Sequence, residues 1–404
     1  MLKTAALTAL GYLAIASLLG LALRYTALAE LPITYRYFVH GHSHIAMLGW
    51  IYIALTTLIY KAYLHTESVP FSYKILFVCT QITLLGMLIA FPLQGYALFS
   101  ILFSSLFLIA SYGFIYFFFK NVYPENKNTF SYHLIKQALG FLGLSSIGAW
   151  SLGIIMTTAG NTSIYYKLAI YFFLHFQYNG WMLLAVLGLF FYVLEKKNIV
   201  FSKEKTLSLR RWIAGSVYLT YLLSALFAQP HESIYALAGI GVLLQLMAFA
   251  KVWKMVRSKH NAIQQAFPQK IFWILALSGL LWVVKLLLQT LSVFPYFADL
   301  AYQFPDFIIG YLHWVFLGII SLALFGLTTS FDLLTLSQKL MSLFLIGFAA
   351  TELLIFYRAM AQWLDMPLPS QFLFALFLAS LVLFIGIAGL LLKNISILFF
   401  DKTK

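Results

Sequence analysis

Three short segments of the sequence pair a histidine with a glycine five residues further on. They read HIAMLG from His44, HFQYNG from His175 and HWVFLG from His313. The first two histidines are 131 residues apart and the last two are 138 residues apart. An imidazole can bind a metal ion or exchange a proton near neutral pH. The nearly equal spacing predicts three repeated units, each with one histidine in the same place.

Two further histidines, His40 and His42, stand just before the first of these segments. On a helix, His40 and His44 share one face because they are four residues apart, whereas His42 points elsewhere. This helix is therefore expected to serve two sites. The glycine that follows His44 permits the close approach of a neighbouring helix or of a flat ring.

The composition is that of an integral membrane protein. The 404 residues are 62% hydrophobic and 9% charged, and the mean hydropathy is +0.91. A water-soluble fold of this size cannot hide so many apolar side chains, so lipid must cover most of the surface. The single cysteine, Cys79, excludes a disulfide framework and a thiolate metal cluster, which leaves histidine or oxygen as metal ligands.

About twelve hydrophobic runs are long enough to cross a bilayer, which takes roughly 20 residues. The repeated histidines fall in the second, sixth and tenth runs. No stretch between the runs is long enough for a soluble domain, so we predict one membrane domain over 1-404 with pseudo-repeats at about 1-130, 131-265 and 266-404. The predicted spans are 4-24, 38-63, 71-93, 96-119, 134-158, 164-194, 209-228, 233-256, 270-292, 304-330, 337-358 and 370-393.

The net charge of +14 is explained by topology. Lysine and arginine lie between the hydrophobic runs, so they form no nucleic-acid-binding patch. They mark every second connection, from Lys61 and Lys74 at the first to Lys393 at the last. The positive-inside rule then predicts cytoplasmic N- and C-termini and a multi-pass protein of a bacterial-type inner membrane. The histidine-bearing spans enter from the outer face.

Ionisable groups inside a membrane usually serve a function, since burying them in lipid is unfavourable. The alternative is that the histidines only form hydrogen bonds between helices and the glycines only allow packing. Lys285 and Glu352 also lie deep in apolar runs. They suggest an ion pair or a proton path.

Three motifs resemble those of subunit I of the heme-copper oxidase and nitric oxide reductase superfamily. IGYLHWVFLG from Ile309 is similar to the C-type oxidase pattern, and RYFVHGHSHIAMLG from Arg36 is similar to the segment that supplies a low-spin heme ligand. His175 followed by Asn179 is similar to a reductase motif in which a metal-binding histidine precedes a glutamate. The resemblance implies an all-α bundle of twelve transmembrane helices in three pseudo-symmetric groups of four.

The resemblance also implies a heme b whose iron is bound by two histidines. His313 and His42 are the implied axial ligands, with His44 as the alternative to His42 if the repeat register is kept. Two neutral imidazoles from facing helices suit a six-coordinate iron. Arg36 and Arg358 are expected at the outer surface, where they would bind the heme propionates; the alternative is that both are interfacial anchors.

The sequence departs from the superfamily at its catalytic centre. Tyr311 stands where a second heme would have its histidine, and span 209-228 has no histidine. Tyr311 is a candidate phenolate ligand to a second heme. His40, His44 and His175 are the remaining candidate ligands for copper or another non-heme metal.

Four functions follow from these observations. The first is a heme-b protein for electron transfer or heme-linked sensing, with cytochrome c or quinol as donor and other respiratory subunits as partners. The second is an oxidoreductase that reduces oxygen or nitric oxide at a remodelled metal centre. The third is a copper or zinc site without heme, formed by His44, His175 and His313. The fourth is a transporter in which the histidines relay protons or bind substrate.

Overall fold

The computed structural model describes residues 1–64 and 69–400, and within them it contains helices and no strand. We number the long helices in chain order and leave four short ones, Pro124–Asn128, Tyr221–Ala228, His260–Ala266 and Pro295–Gln303, unnumbered. The long helices are α1 Leu2–Tyr25, α2 Tyr35–Tyr63, α3 Phe71–Gln94, α4 Leu98–Asn121, α5 Phe130–Thr158, α6 Ile164–Lys196, α7 Lys203–Thr220, α8 Glu232–Ser258, α9 Gln269–Leu291, α10 Pro305–Ser330, α11 Gln338–Trp363 and α12 Phe372–Phe400.

Eleven of these helices are long and apolar enough to cross a membrane, counted over the described residues. The chain is therefore a multi-pass membrane protein in contact with lipid. The exception is α7, which covers the predicted span 209-228. Its α-helix begins earlier, at Lys203, with the charged run KEK, and it ends at Thr220, after which Tyr221–Ala228 is a 3₁₀-helix. Because α7 begins with charged residues and is followed by a 3₁₀-helix, its continuous apolar stretch is shorter than that of the other long helices.

Local side-chain chemistry sets several helix ends. The Thr129 side chain accepts a hydrogen bond from the N–H of Tyr132 at the start of α5, and Ser163 does the same for Tyr166 at the start of α6. These contacts satisfy N–H groups that the first helical turn leaves unpaired. α3 ends at Gly95, whose φ of 62° places the backbone in the region that favours glycine.

Each repeated histidine is followed at once by a π-helical segment. The segments are Ile45–Tyr52 after His44, Phe176–Met182 after His175, and Trp314–Ser321 after His313. The histidines are the tenth, twelfth and ninth residues of α2, α6 and α10, so they lie at similar depths. A π-helical turn inside an α-helix is rare and frequently marks a functional site. The repeated sequence thus forms a repeated local structure.

The glycine of the first two segments lies against an aromatic ring of the preceding helix. A Cβ atom on Gly49 would lie 2.7 Å from the ring of Tyr12 in α1, and one on Gly180 would lie 2.6 Å from Phe141 in α5. Such distances are too short for any real contact, so only glycine fits. The close approach of two helices at a small residue is a common way of packing in membranes.

The described residues form two compact units. The first contains Met1–Val122 and Leu324–Lys404, and the second contains Tyr123–Ala323. In the first unit α1 packs against α2 and α12, and α11 packs against α12. In the second unit α5 packs against α6, and α7 packs against α8. His40, His42 and His44 belong to the first unit, whereas His175 and His313 belong to the second.

We predict that Gly49→Ala destabilises the protein while Gly11→Ala does not. The new methyl group at position 49 would overlap the Tyr12 ring, and overpacking typically costs about 1–3 kcal/mol. A Cβ on Gly11, in the same unit, meets no atom within 4 Å, and glycine to alanine inside a helix stabilises it by about 0.5–1 kcal/mol. Thermal unfolding of both variants in detergent measures the difference. Equal melting temperatures would show that the π segment does not need its glycine.

Candidate functional site

His42 is oriented by a backbone group of α1. Its Nδ1 lies 2.8 Å from the carbonyl oxygen of Ala16, to which it donates a hydrogen bond. A Cβ on Gly20 would lie 3.0 Å from the Cε1 atom of this ring, so glycine makes room for the imidazole. Because Nδ1 carries the proton, the lone pair is on Nε2. A metal-binding histidine is usually held in this way by a hydrogen bond to a carbonyl group.

His40 and His44 lie on a different side of α2, among side chains of α3 and of the turn that follows it. His44 donates from Nδ1 to the carbonyl oxygen of His40 at 2.8 Å, and its Nε2 lies 3.4 Å from the Tyr96 hydroxyl. The His44 ring stacks on Phe91 with centroids 4.2 Å apart, and the His40 ring meets Tyr96 edge-on at 4.6 Å. The spacing of the three histidines predicts two sites on α2, and in the structure these histidines have two separate sets of neighbours.

His175 belongs to a buried polar chain in the second unit. Its Nδ1 accepts a hydrogen bond from the Asn179 side-chain amide at 3.2 Å, and the Asn179 oxygen accepts one from the Lys285 ammonium at 2.6 Å. All three side chains are buried, and Lys285 is 0% exposed. The chain connects α6 to α9. Each polar group therefore has a partner, as burial in an apolar environment requires.

The remaining nitrogen of His175 is bonded to α7. Its Nε2 donates to the carbonyl oxygen of Val217 at 2.8 Å. In a continuous α-helix this carbonyl would accept from the N–H of Tyr221. Here the α-helix ends at Thr220 and the Tyr221 N–H is directed to Leu219, which leaves the Val217 carbonyl to the histidine. Both ring nitrogens of His175 are thus engaged by the protein itself.

His313 lies at the junction of the α- and π-helical parts of α10. The neighbouring Trp314 donates from Nε1 to the carbonyl oxygen of Leu281 in α9 at 2.9 Å, which anchors this turn. Tyr311, one of the candidate heme ligands, meets Tyr178 of α6 with ring centroids 6.1 Å apart. Tyr178 also meets Phe316, with ring centroids 6.0 Å apart, so the two π segments of the second unit are in contact. His313 and Tyr311 are half-buried.

The candidate propionate-binding arginines differ in exposure. Arg36 is exposed at the start of α2, and its charge acts on His40 one turn further on. Arg358 is half-buried in the last third of α11. A third arginine was not singled out from the sequence: Arg24, at the end of α1, acts electrostatically on both His42 and Glu352.

Lys285 and Glu352 were expected to form an ion pair or a proton path. The hydrogen-bond partner of Lys285 is the neutral amide of Asn179 in the second unit. Glu352 is buried in the first unit, where Arg24 is an electrostatic neighbour. Lys285 therefore interacts with Asn179 in the second unit, and Glu352 interacts electrostatically with Arg24 in the first.

Among the residues that the structure describes, no three histidine, cysteine, aspartate or glutamate side chains lie close enough to share a metal ion. His40 and His44 lie together with Tyr96, and His175 lies with Asn179 and Lys285. His42 lies apart from His40 and His44.

Sequence reasoning missed the groups that orient these histidines. Two of them, the carbonyl groups of Ala16 and Val217, belong to the backbone and leave no signal in residue type. Tyr96 and Phe91 lie around the turn between two predicted spans, where their proximity to α2 depends on tertiary packing. Gly20 was one glycine among 24.

Two comparisons with known proteins gave no match: no family model matches the chain, and no curated protein matches it.

We predict that Asn179→Leu destabilises the protein by about 1–3 kcal/mol, because it leaves both the Lys285 ammonium and the Nδ1 atom of His175 without their partner. The matched control is Asn261→Leu, which makes the same change at an exposed position of the short helix His260–Ala266. Thermal or denaturant-induced unfolding in detergent gives the comparison. Equal stability of the two variants would mean that the buried chain contributes nothing to the fold.

Proposed function

We propose that this protein is a heme-b membrane protein, with His42 and His313 as the two axial ligands of a low-spin iron, in a bundle related to subunit I of the heme-copper oxidases. Its role in this proposal is respiratory electron transfer or heme-linked sensing. The observation that carries the proposal is the hydrogen bond from Nδ1 of His42 to the Ala16 carbonyl.

This hydrogen bond prepares His42 for coordination. It fixes the tautomer with the lone pair on Nε2, and a carbonyl acceptor on Nδ1–H raises the basicity of the ligating nitrogen. Gly20 brings the ring close to α1. The half-buried state of His42 also agrees with a ring that faces a bound group.

His313 is proposed as the second ligand on separate grounds. It starts a π segment, as His44 and His175 do, and the bond from Trp314 to Leu281 holds its turn in place. Lone histidines deep in membrane helices are rare unless they serve a site. A bound heme would supply one-electron redox chemistry, and ligation by two histidines would leave its iron no open position for a small molecule.

The arginines at the same end of the first unit support a propionate site. Arg36 lies about one and a half turns before His42 on α2, and Arg358 and Arg24 are near the ends of α11 and α1. Guanidinium groups pair well with carboxylates. We assign the propionates to Arg36 and Arg358, and Arg24 also acts electrostatically on His42.

Electron transfer is favoured over oxygen or nitric oxide reduction by the second unit. A second, non-heme metal would need His175, yet both nitrogens of that ring are bonded to protein groups. The Lys285 ammonium also lies 2.6 Å from the Asn179 oxygen. A metal ion bound by His175 would lie close to this cation, and like charges repel.

The proposed electron donor is a quinol in the membrane or a cytochrome c, since the connections between spans hold no redox domain of their own. The proposed location is a bacterial-type inner membrane, with further respiratory subunits as partners. The positive-inside pattern of the sequence supports this orientation.

We predict that the purified protein contains one heme b per chain and that His42→Ala or His313→Ala removes the sharp reduced-minus-oxidised bands of a low-spin heme. His175→Ala and His231→Ala are the matched controls, because His175 is not a ligand in this proposal and His231 is exposed in a connection. The measurement is a visible difference spectrum with total iron, copper and zinc per chain. A chain without heme, or a heme lost only on His175→Ala, would overturn the proposal.

We also predict that Gly20→Val lowers heme occupancy or shifts the midpoint potential of the heme, because the new side chain would displace the His42 ring. The control is Gly11→Val, on the same helix, where no atom lies within 4 Å of the new Cβ. Potentiometric titration of both variants measures the effect. Identical potentials and occupancies for both would show that α1 does not position the ligand.

A further inference from the structure

A groove runs along the first unit between α3 and α4, separate from the histidines. Its volume is about 650 Å³, within the range of pockets that hold small ligands. The walls are mostly apolar, with Ile75, Ile82 and Ile109 exposed along them. An exposed apolar surface is normal for a helix in lipid, but a groove between two helices offers a defined place for one acyl chain.

The groove has the length of one lipid leaflet. On α3 it extends from Ser72 to Thr83, which is about 17 Å at 1.5 Å per residue. The hydrocarbon core of a bilayer is about 30 Å thick, so one leaflet supplies about 15 Å. Along α3 the groove is therefore about as long as one leaflet is thick. Cys79 and Gly113 lie along this length.

The polar side chains of the lining are concentrated at one end. Lys120 and Asn121, at the end of α4, lie there together with Ser72, at the start of α3. The Lys120 ammonium lies over the Tyr116 ring, 5.6 Å from its centroid, so its charge is held at the mouth of the groove. None of the described residues that line the groove is acidic. The mouth therefore complements a negative charge.

We propose that this groove binds one anionic phospholipid, with an acyl chain between α3 and α4 and the phosphate beside Lys120 and Asn121. A zwitterionic lipid has the same chains but carries its own cation, so it gains less from Lys120. An ammonium beside the membrane surface attracts anionic lipid headgroups. The proposal is independent of the heme, because none of the lining residues belongs to the histidine sites.

The only cysteine of the chain reports directly on the groove, because Cys79 is exposed and lies in its lining. The full-length protein is reconstituted into nanodiscs of phosphatidylcholine with or without a fifth of phosphatidylglycerol. The rate of alkylation of Cys79 by N-ethylmaleimide is then measured, and native mass spectrometry counts the retained phosphatidylglycerol. The expected result is that phosphatidylglycerol slows alkylation at least threefold and that one molecule stays bound.

Two variants and one control test the two halves of the site. Lys120→Gln removes the charge at the mouth, and Gly113→Leu fills the groove without changing any charge; each is expected to abolish the protection of Cys79. The control is Lys74→Gln, which removes a charge from an exposed position near the start of α3, outside the lining, and is expected to leave Cys79 protected. The circular dichroism spectrum and the melting temperature show whether each variant is folded.

Equal alkylation rates in both lipid mixtures would overturn the proposal, as would equal effects of Lys120→Gln and Lys74→Gln. Protection of Cys79 in every mixture, accompanied by cross-linking between two copies of the chain, would also overturn it, because the occupant would then be another protein helix.

Discussion

An imidazole N–H group inside a membrane needs a hydrogen-bond acceptor, because lipid supplies none, and this constraint determines where the histidines lie. In three of the histidines this acceptor is a backbone carbonyl: Ala16 for His42, His40 for His44, and Val217 for His175. Carbonyl groups are the most abundant acceptors in a helical membrane protein, but most already accept from their own helix. Each histidine therefore has to be placed where a carbonyl can take a second bond or where the helix is interrupted. The end of α7 at Thr220 is such an interruption.

The π segments are a second feature that the histidine-bearing helices share. A π turn adds a residue to the helix and changes the face that the following side chains present. In α2 and α6 the glycine of the segment then lies directly against an aromatic ring of the preceding helix. The same order of histidine, π turn and glycine in α2, α6 and α10 gives three helices a common local geometry. The chemistry nevertheless differs: His42 lies one helix face away from His44, and His175 is enclosed by Asn179 and Val217.

The sequence was sufficient to predict the helical membrane class and most span boundaries to within a few residues, because hydropathy determines both. It also identified the three histidine segments, since a histidine with a glycine at constant spacing is visible in residue types alone. It was less accurate for α7, where a charged first half and a 3₁₀ second half do not follow the hydropathy pattern. The partners of His42 and His175 could not be predicted, because a carbonyl group is present at every residue and only tertiary packing selects one. The π turns had no signal in composition either.

The two units carry different polar groups. The first carries His42 with its carbonyl anchor and the arginines proposed for the propionates. The second carries His313, and it carries His175 in a closed chain with Asn179 and Lys285. This buried chain is a structural link between α6 and α9.

The measurement that tests this account most directly is low-temperature electron paramagnetic resonance of the oxidised protein, combined with the addition of carbon monoxide to the reduced protein. Two imidazole ligands predict a purely low-spin ferric signal and a reduced spectrum that carbon monoxide leaves unchanged. A high-spin ferric signal together with a carbon-monoxide-sensitive spectrum would contradict the account, since it would show an iron with an open position.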